Sequence, residues 1–234
     1  MIVLAIETAT RDGSVALARD GRVLAEARGE GTRPHAARLP GDALALLDAH
    51  ALTVGDVDVF AVCLGPGGFT GLRVGIASAQ GLAFAAAKPI VGISALDALG
   101  FAALESADGA AVAGVWMDAA RSEVFAVRYR RDGRQLFGIA AVDTPVSAPP
   151  ADVAAAWASD GPMVSSWIGD GALRYRAYIE GTQTDPTPVL APLVARLATT
   201  GAAAGLAGSP HALRPLYVRP PDAELARMKK EARR

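Results

Sequence analysis

The chain has one cysteine and three histidines among its 234 residues. A single cysteine excludes a disulfide framework and a cysteine-based zinc site. Cys63, flanked by apolar residues, reads as a buried structural thiol. His35, His50 and His211 never fall at the i, i+4 spacing that puts two imidazoles on one helix face, so no metal site is expected. Neither sign of charge prevails: 23 Lys+Arg stand against 24 Asp+Glu, for a net charge of −1. A stand-alone nucleic-acid binder would need a basic excess. Long hydrophobic runs are missing too. The longest near-apolar stretch, between Arg73 and Lys88, contains Ser78 and Gln80 and is too short and polar to span a bilayer. The start, Met1 to Glu7, lacks the basic region of a signal peptide, and the expectation is a cytoplasmic protein that meets no membrane. What abounds is apolar material, 51% of the chain, which excludes disorder. The 51 alanines, with 20 arginines against three lysines, are what a GC-rich genome writes, so alanine alone is weak evidence for any helix.

Patterning gives an order of elements. Ile2–Thr8, Ser14–Arg19 and Val23–Arg28 read as strands, with Asp20-Gly21 as a two-residue hairpin turn. Ala36–Ala51 carries a 3.6-period apolar stripe with Pro40 in its first turn. Val57–Leu64 is a buried strand, Leu72–Ala87 a helix stopped by Pro89, Ile90–Ile93 a strand, and Ser94 caps a helix to about Glu105. The order then restarts. Strands are predicted at Ala111–Met117, Glu123–Tyr129, Gln135–Val142 and Met163–Ile168, with a linker at Pro145–Pro150 and a short helix at Val153–Trp157. A second Ala-rich helix covers Leu190–Gly205. The expected organisation is an α/β fold with a first lobe at 1–105, a reduced second lobe at 106–189, a 190–218 segment packing back on the first lobe, and a charged tail at 219–234.

The chemistry-bearing candidates are few. Gly65-Pro66-Gly67-Gly68-Phe69-Thr70-Gly71 lies between a strand and a helix, where anions meet helix N-termini. It is neither a Walker A loop, having no Lys-Ser/Thr after the glycines, nor a dinucleotide fingerprint, having the wrong glycine spacing. Two readings stand: backbone amides lining an anion site, or glycines that allow a tight turn and close backbone approach. Gly71, Gly75, Ala79 and Ala83 then recur at i+4 and clear one helix face, either for the protein's own sheet or for a partner. Glu7, Thr8, Thr10 and Ser14 flank the first hairpin turn, where actin-like ATPases hold phosphate, and Asp118 ends a strand. Ordinary turn and strand roles are the more common explanation of all of these.

Ile2-Val3-Leu4-Ala5-Ile6-Glu7-Thr8-Ala9-Thr10 with Ser14-Val15-Ala16-Leu17, the glycine loop running on through Leu72-Arg73-Val74-Gly75 to Ala83, Met117-Asp118-Ala119 with Glu123-Val124-Phe125, and Pro215-Leu216-Tyr217-Val218-Arg219 together resemble the TsaB (YeaZ-type) family. The resemblance implies an actin-like (ASKHA) fold of two βββαβαβα lobes. It also implies a non-catalytic scaffold in the synthesis of threonylcarbamoyladenosine on tRNA, partnered by a TsaD-like catalytic subunit and a TsaE-like ATPase, with tRNA met only through the complex. ATP and threonylcarbamoyl-adenylate would be used by the complex, with no cofactor assigned to this chain, and a homodimer is implied when the partner is absent.

The family's first two helices make the partner contact. On this chain that implies His35, Arg38 and Leu39 on one helix, and Leu72, Arg73, Gly75, Ala79 and Ala83 on the next, so that bulky residues at Gly75 or Ala79 should break the complex and spare the fold. Three positions depart from the family's pattern: Gly68 where Ser is common, Glu7 where Asp is common, and Arg121-Ser122 in place of a glycine-containing turn. The competing reading is an enzyme: an actin-like (ASKHA) phosphotransferase binding ATP through the glycine loop and Glu7. A glycoprotease reading finds no metal pair or nucleophile triad to support it.

Overall fold

The computed structural model describes residues 1–106, 112–179 and 187–220, with the backbone of 184–185. The first lobe is a five-stranded sheet of β1 (Ile2–Glu7), β2 (Ser14–Arg19), β3 (Arg22–Arg28), β4 (Val59–Gly65) and β5 (Ile90–Ser94). Its order is β3-β2-β1-β4-β5, with β1, β4 and β5 parallel and β2 and β3 returning antiparallel. Asp20 and Gly21 both take positive φ, 52° and 79°, as the tight β2–β3 hairpin demands. Helices α1 (His35–Asp48), α2 (Phe69–Ala85) and α3 (Ala95–Ser106) complete the lobe. Ser94 Oγ accepts the Asp97 N–H at 3.3 Å, capping α3. Pro40 lies in the second turn of α1 and not the first, with its ring exposed.

The second lobe repeats the topology in shorter pieces. It comprises β6 (Val112–Asp118), β7 (Val124–Arg131), β8 (Ile139–Ala141), β9 (Val146–Ala148), α4 (Pro150–Ser159), β10 (Ser166–Ile168), α5 (Asp170–Arg174), β11 (Thr184–Asp185) and α6 (Leu190–Ala203). Its sheet runs β11-β10-β6-β7-β8, with β9 also on β7. This is an actin-like arrangement of two βββαβαβα lobes. Two expectations change. Gln135–Phe137 is hairpin loop, closed by Asp132 N–H to Gly138 O at 2.9 Å, and not strand. The stretch read as a linker contains β9, because β8 pairs only the far half of the eight-residue β7 and leaves Val124–Ala126 an edge to cover. The 221–234 part of the charged tail lies outside the described residues.

Alternation along the strands sorts the cores. Leu4, Ile6, Val15, Leu17, Phe60 and Val62 point to α1 and α2 and pack with Leu39, Leu46, Leu47 and Ile76. Val3, Ala5, Ala16, Ala18, Ala61 and Cys63 point the other way, into a central core shared with α3, α6 and the second sheet. Small side chains on that side let α6 lie close on β1 and β2. Helix α6 therefore packs on the first sheet, and α3 reaches the second, where Gly100 leaves room for the Tyr129 ring. Burial raises the Cys63 thiol pKa, which keeps it inert. No helix among the described residues is long and apolar enough to cross a membrane.

Candidate functional site

The glycine loop is filled by the chain's own backbone. A Cβ added at Gly67 would overlap the Ala9 carbonyl, one at Gly71 would stand 2.7 Å from the Thr8 carbonyl oxygen, and one at Gly75 would overlap the Thr8 hydroxyl. The turn after β1 thus lies in a groove made by glycines spaced four apart. Gly65, at φ 110°, meets the Leu216 carbonyl in the same way, at 2.9 Å. Gly68 and Thr70 are exposed, and a Cβ at Gly68 would meet nothing within 4 Å. Close approach, and not an anion cradle, accounts for Gly65, Gly67, Gly71 and Gly75.

The small-residue stripe is turned inward. Leu72, Gly75, Ala79 and Ala83 are buried against the protein's own sheet and its neighbours, Ala79 and Ala83 in the core shared with α1, and on α1 Leu39 is fully buried. Arg38 is buried as well: it pairs with Asp42 and donates to the Asp12 carbonyl. These six residues hold the first lobe together and present no surface to a partner, which corrects the reading of them as interface. Of the expected set, Arg73 alone is exposed. His35 is half-buried between Gly13 and Gly71, with Nδ1 3.2 Å from Arg38 Nη2. Burial, then the Arg38 charge, hold its pKa below the ordinary value. The exposed sides of the two helices carry other residues: Arg73, Ala77, Gly81 and Phe84 on α2, and Ala37, Gly41, Leu44 and Ala45 on α1. Phe84 is 66% exposed and Leu44 48%. Apart from Arg73 this surface is uncharged and, but for Phe84 and Leu44, it is made of glycine and alanine, which suits another helix.

Between the lobes lies a cavity of about 250 Å³, lined by Glu7, Thr10, Asp12, Ser14, Asp170 and Thr187 among others. Glu7, 1% exposed, spends its carboxylate on its own hairpin: it accepts from Thr10 N at 2.6 Å, Thr10 Oγ1 at 2.9 Å and Ser14 Oγ at 2.9 Å. Ser14 Oγ in turn accepts the Ala191 N–H at 3.2 Å, fastening α6. Burial raises the Glu7 pKa, with these hydrogen bonds opposing the rise. Asp170 accepts from the backbone N–H of Asp118 and Gly171, and burial raises its pKa too. Thr8 is buried beneath α2 and does not line the cavity. Asp118 turns to Ala120 N–H and Arg174. Two carboxylates committed to internal bonds make a poor floor for polyphosphate. The Gly169-Asp170-Gly171 triplet was the available sequence signal for Asp170, whereas Thr187 carried none. Among the described residues, no group of three or more His, Cys, Asp or Glu could hold a metal.

A family model described as TsaD, tRNA N6-adenosine threonylcarbamoyltransferase, matches residues 26–167. An uncharacterized protein of Mycobacterium tuberculosis is 37% identical over 225 residues, covering 95% of this chain and 93% of that one. The tRNA threonylcarbamoyladenosine biosynthesis protein TsaB of Escherichia coli is 38% identical over 132 residues, 56% of either chain. The solved structure of YeaZ from Pseudomonas aeruginosa superposes with a TM-score of 0.75 at 29% identity, covering 92% of this chain and 99% of that one.

Proposed function

This chain belongs to the TsaB/YeaZ family, and on that premise we propose that it is a non-catalytic subunit of the complex that transfers a threonylcarbamoyl group to N6 of the tRNA adenosine beside the anticodon. Its task is to dock a TsaD-like catalytic subunit through the outer sides of α1 and α2. The observation that carries this reading is the exposed, uncharged surface of Ala77, Gly81 and Phe84 beside Gly41 and Leu44. A second copy of the chain takes the same surface when the partner is absent. A TsaE-like ATPase completes the complex. ATP and threonylcarbamoyl-adenylate are handled by the partners, tRNA is met only through them, and the setting is the cytoplasm. The committed Glu7 carboxylate weighs against the rival reading of a phosphotransferase, since an anion approaching the β1–β2 turn meets a buried acid.

The test is reconstitution with the TsaD-like and TsaE-like proteins, tRNA and threonylcarbamoyl-adenylate. Modified tRNA is expected with this chain and not without it. Gly81→Trp should abolish co-elution with the catalytic subunit while the melting temperature stays put. Co-elution at unchanged affinity would sink the docking surface, and ATP hydrolysis by the purified chain would favour the rival.

A further inference from the structure

After α6 the chain makes one 3-10 turn at Pro210–Ala212 and then runs, without regular structure, across the front of both lobes. Its first-lobe end is fastened three times. Leu216 N–H donates to the Leu64 carbonyl at the end of β4, at 2.8 Å. The Tyr217 ring stacks on Phe69 with centroids 5.1 Å apart and planes 24° from parallel. The Arg73 guanidinium lies 3.9 Å over Phe69, and its Nε donates to the Tyr217 hydroxyl at 3.2 Å.

Two residues further on, the chain grips the other lobe. Arg219 Nη1 donates to Glu123 Oε2 at 2.9 Å, and Nη2 donates to the Ala119 carbonyl at 2.9 Å. Glu123 also accepts from Ser147 Oγ at 2.7 Å, so the same carboxylate ties in β9. The object gripped is the β6–β7 turn. Ala120, Arg121 and Ser122 all hold left-handed φ there, at 56°, 53° and 60°, without a glycine among them. Such a run persists only where its surroundings hold it. The residue that enters the turn, Asp118, donates its N–H to Asp170 in the interlobe cavity.

We propose that Leu213–Arg219 is a strap coupling the N-terminal end of α2 to the β6–β7 turn, with Arg219 as the positioning residue that holds the turn in its left-handed form. Contacts run without a break from Arg73 and Phe69 through Tyr217 and Arg219 to Ala119–Glu123, and from Asp118 to the cavity. The strap's own fastenings are partly exposed and few, which places it among the first elements to open. Coupling between two ends is reciprocal: loosening either must loosen the other.

Hydrogen exchange on the full chain decides it. Arg219→Gln should speed exchange in peptides covering Gly65–Leu72, and Tyr217→Ala should speed exchange in Ala119–Val124, each by about fivefold or more. A strap that merely packs at each end would give faster exchange only beside each substitution, and that outcome overturns the coupling. Arg219→Lys, which keeps the charge on Glu123 and drops the paired geometry, should fall between wild type and Gln at both ends, and it serves if the Gln variant fails to fold. A further arm rests on the docking surface proposed above. Adding the TsaD-like subunit should slow exchange in Ala119–Val124 of the wild type and not of Arg219→Gln, and equal slowing in both counts against the strap. If that subunit does not bind the wild type, the docking surface has failed and the variant comparison alone decides the strap.

Discussion

Helix α2 carries two stripes of small residues at i+4 spacing, and they meet opposite surroundings. Gly71, Gly75, Ala79 and Ala83 face the protein, with Gly75, Ala79 and Ala83 fully packed and the Thr8–Ala9 backbone pressed into the glycines. Ala77, Gly81 and Ala85 face outward, and a Cβ at Gly81 would meet nothing within 4 Å. One stripe is small because something already occupies the space. The other has no such reason inside the chain, which is why the partner is assigned to it. Both stripes are built of glycine and alanine, and the close neighbour decides the meaning of a glycine.

Substitutions that add volume to each stripe separate the two most sharply. Gly75→Val drives a branched side chain into Thr8 and should destabilise the fold by about 3 kcal/mol. For a chain of this length that is a fall in Tm of roughly 6–12 °C by calorimetry. An unchanged Tm would break the contrast outright. Gly81→Ala should act with the opposite sign: it removes a glycine from an exposed helix interior with open space around it, adding about 1 kcal/mol. The expected rise in Tm is roughly 2–4 °C, and a fall would mean that the outer stripe is packed after all.

The smallest effect is electrostatic. His35 lies against Gly71 of the inner stripe and beside Arg38, and its folded pKa is below the ordinary 6.5. The fold therefore favours the neutral ring. That contribution is present above the unfolded pKa and is lost as pH falls from 6.5 towards the folded value. Melting curves recorded from about pH 7.5 to pH 5 should slope less steeply in His35→Gln than in the wild type. Identical slopes would remove His35 from the inner contact.

Much of the fold was legible in residue order. The apolar run Ile2–Thr8 announced a buried strand, Val15 and Leu17 a strand with alternating faces, Asp20-Gly21 its hairpin, and Ser94 the start of α3. The second lobe read less clearly, because its strands β8, β9 and β10 are three residues each, too short for any periodicity to show. The candidate site was half legible. The glycine loop stood out, but its role was ambiguous until Ala9 and Thr8 were seen inside it. Asp170 and Arg219 gave no sign of meeting Asp118 and Glu123.

The sequence by itself determined the layers: larger side chains such as Leu4, Ile6, Leu17 and Phe60 on the side of the first sheet that meets α1 and α2, and mostly alanine, as at Ala5, Ala16, Ala18 and Ala61, on the side that meets α6. Side-chain size and a period of two are local properties, so neighbours along the chain carry them. Only the tertiary structure decided which stripe of α2 is spoken for, and that the strap joins Tyr217 to Arg73 and Arg219 to Glu123 across 144 and 96 residues. Such pairs form when two packed lobes bring distant segments together, and no pattern along a chain encodes that separation.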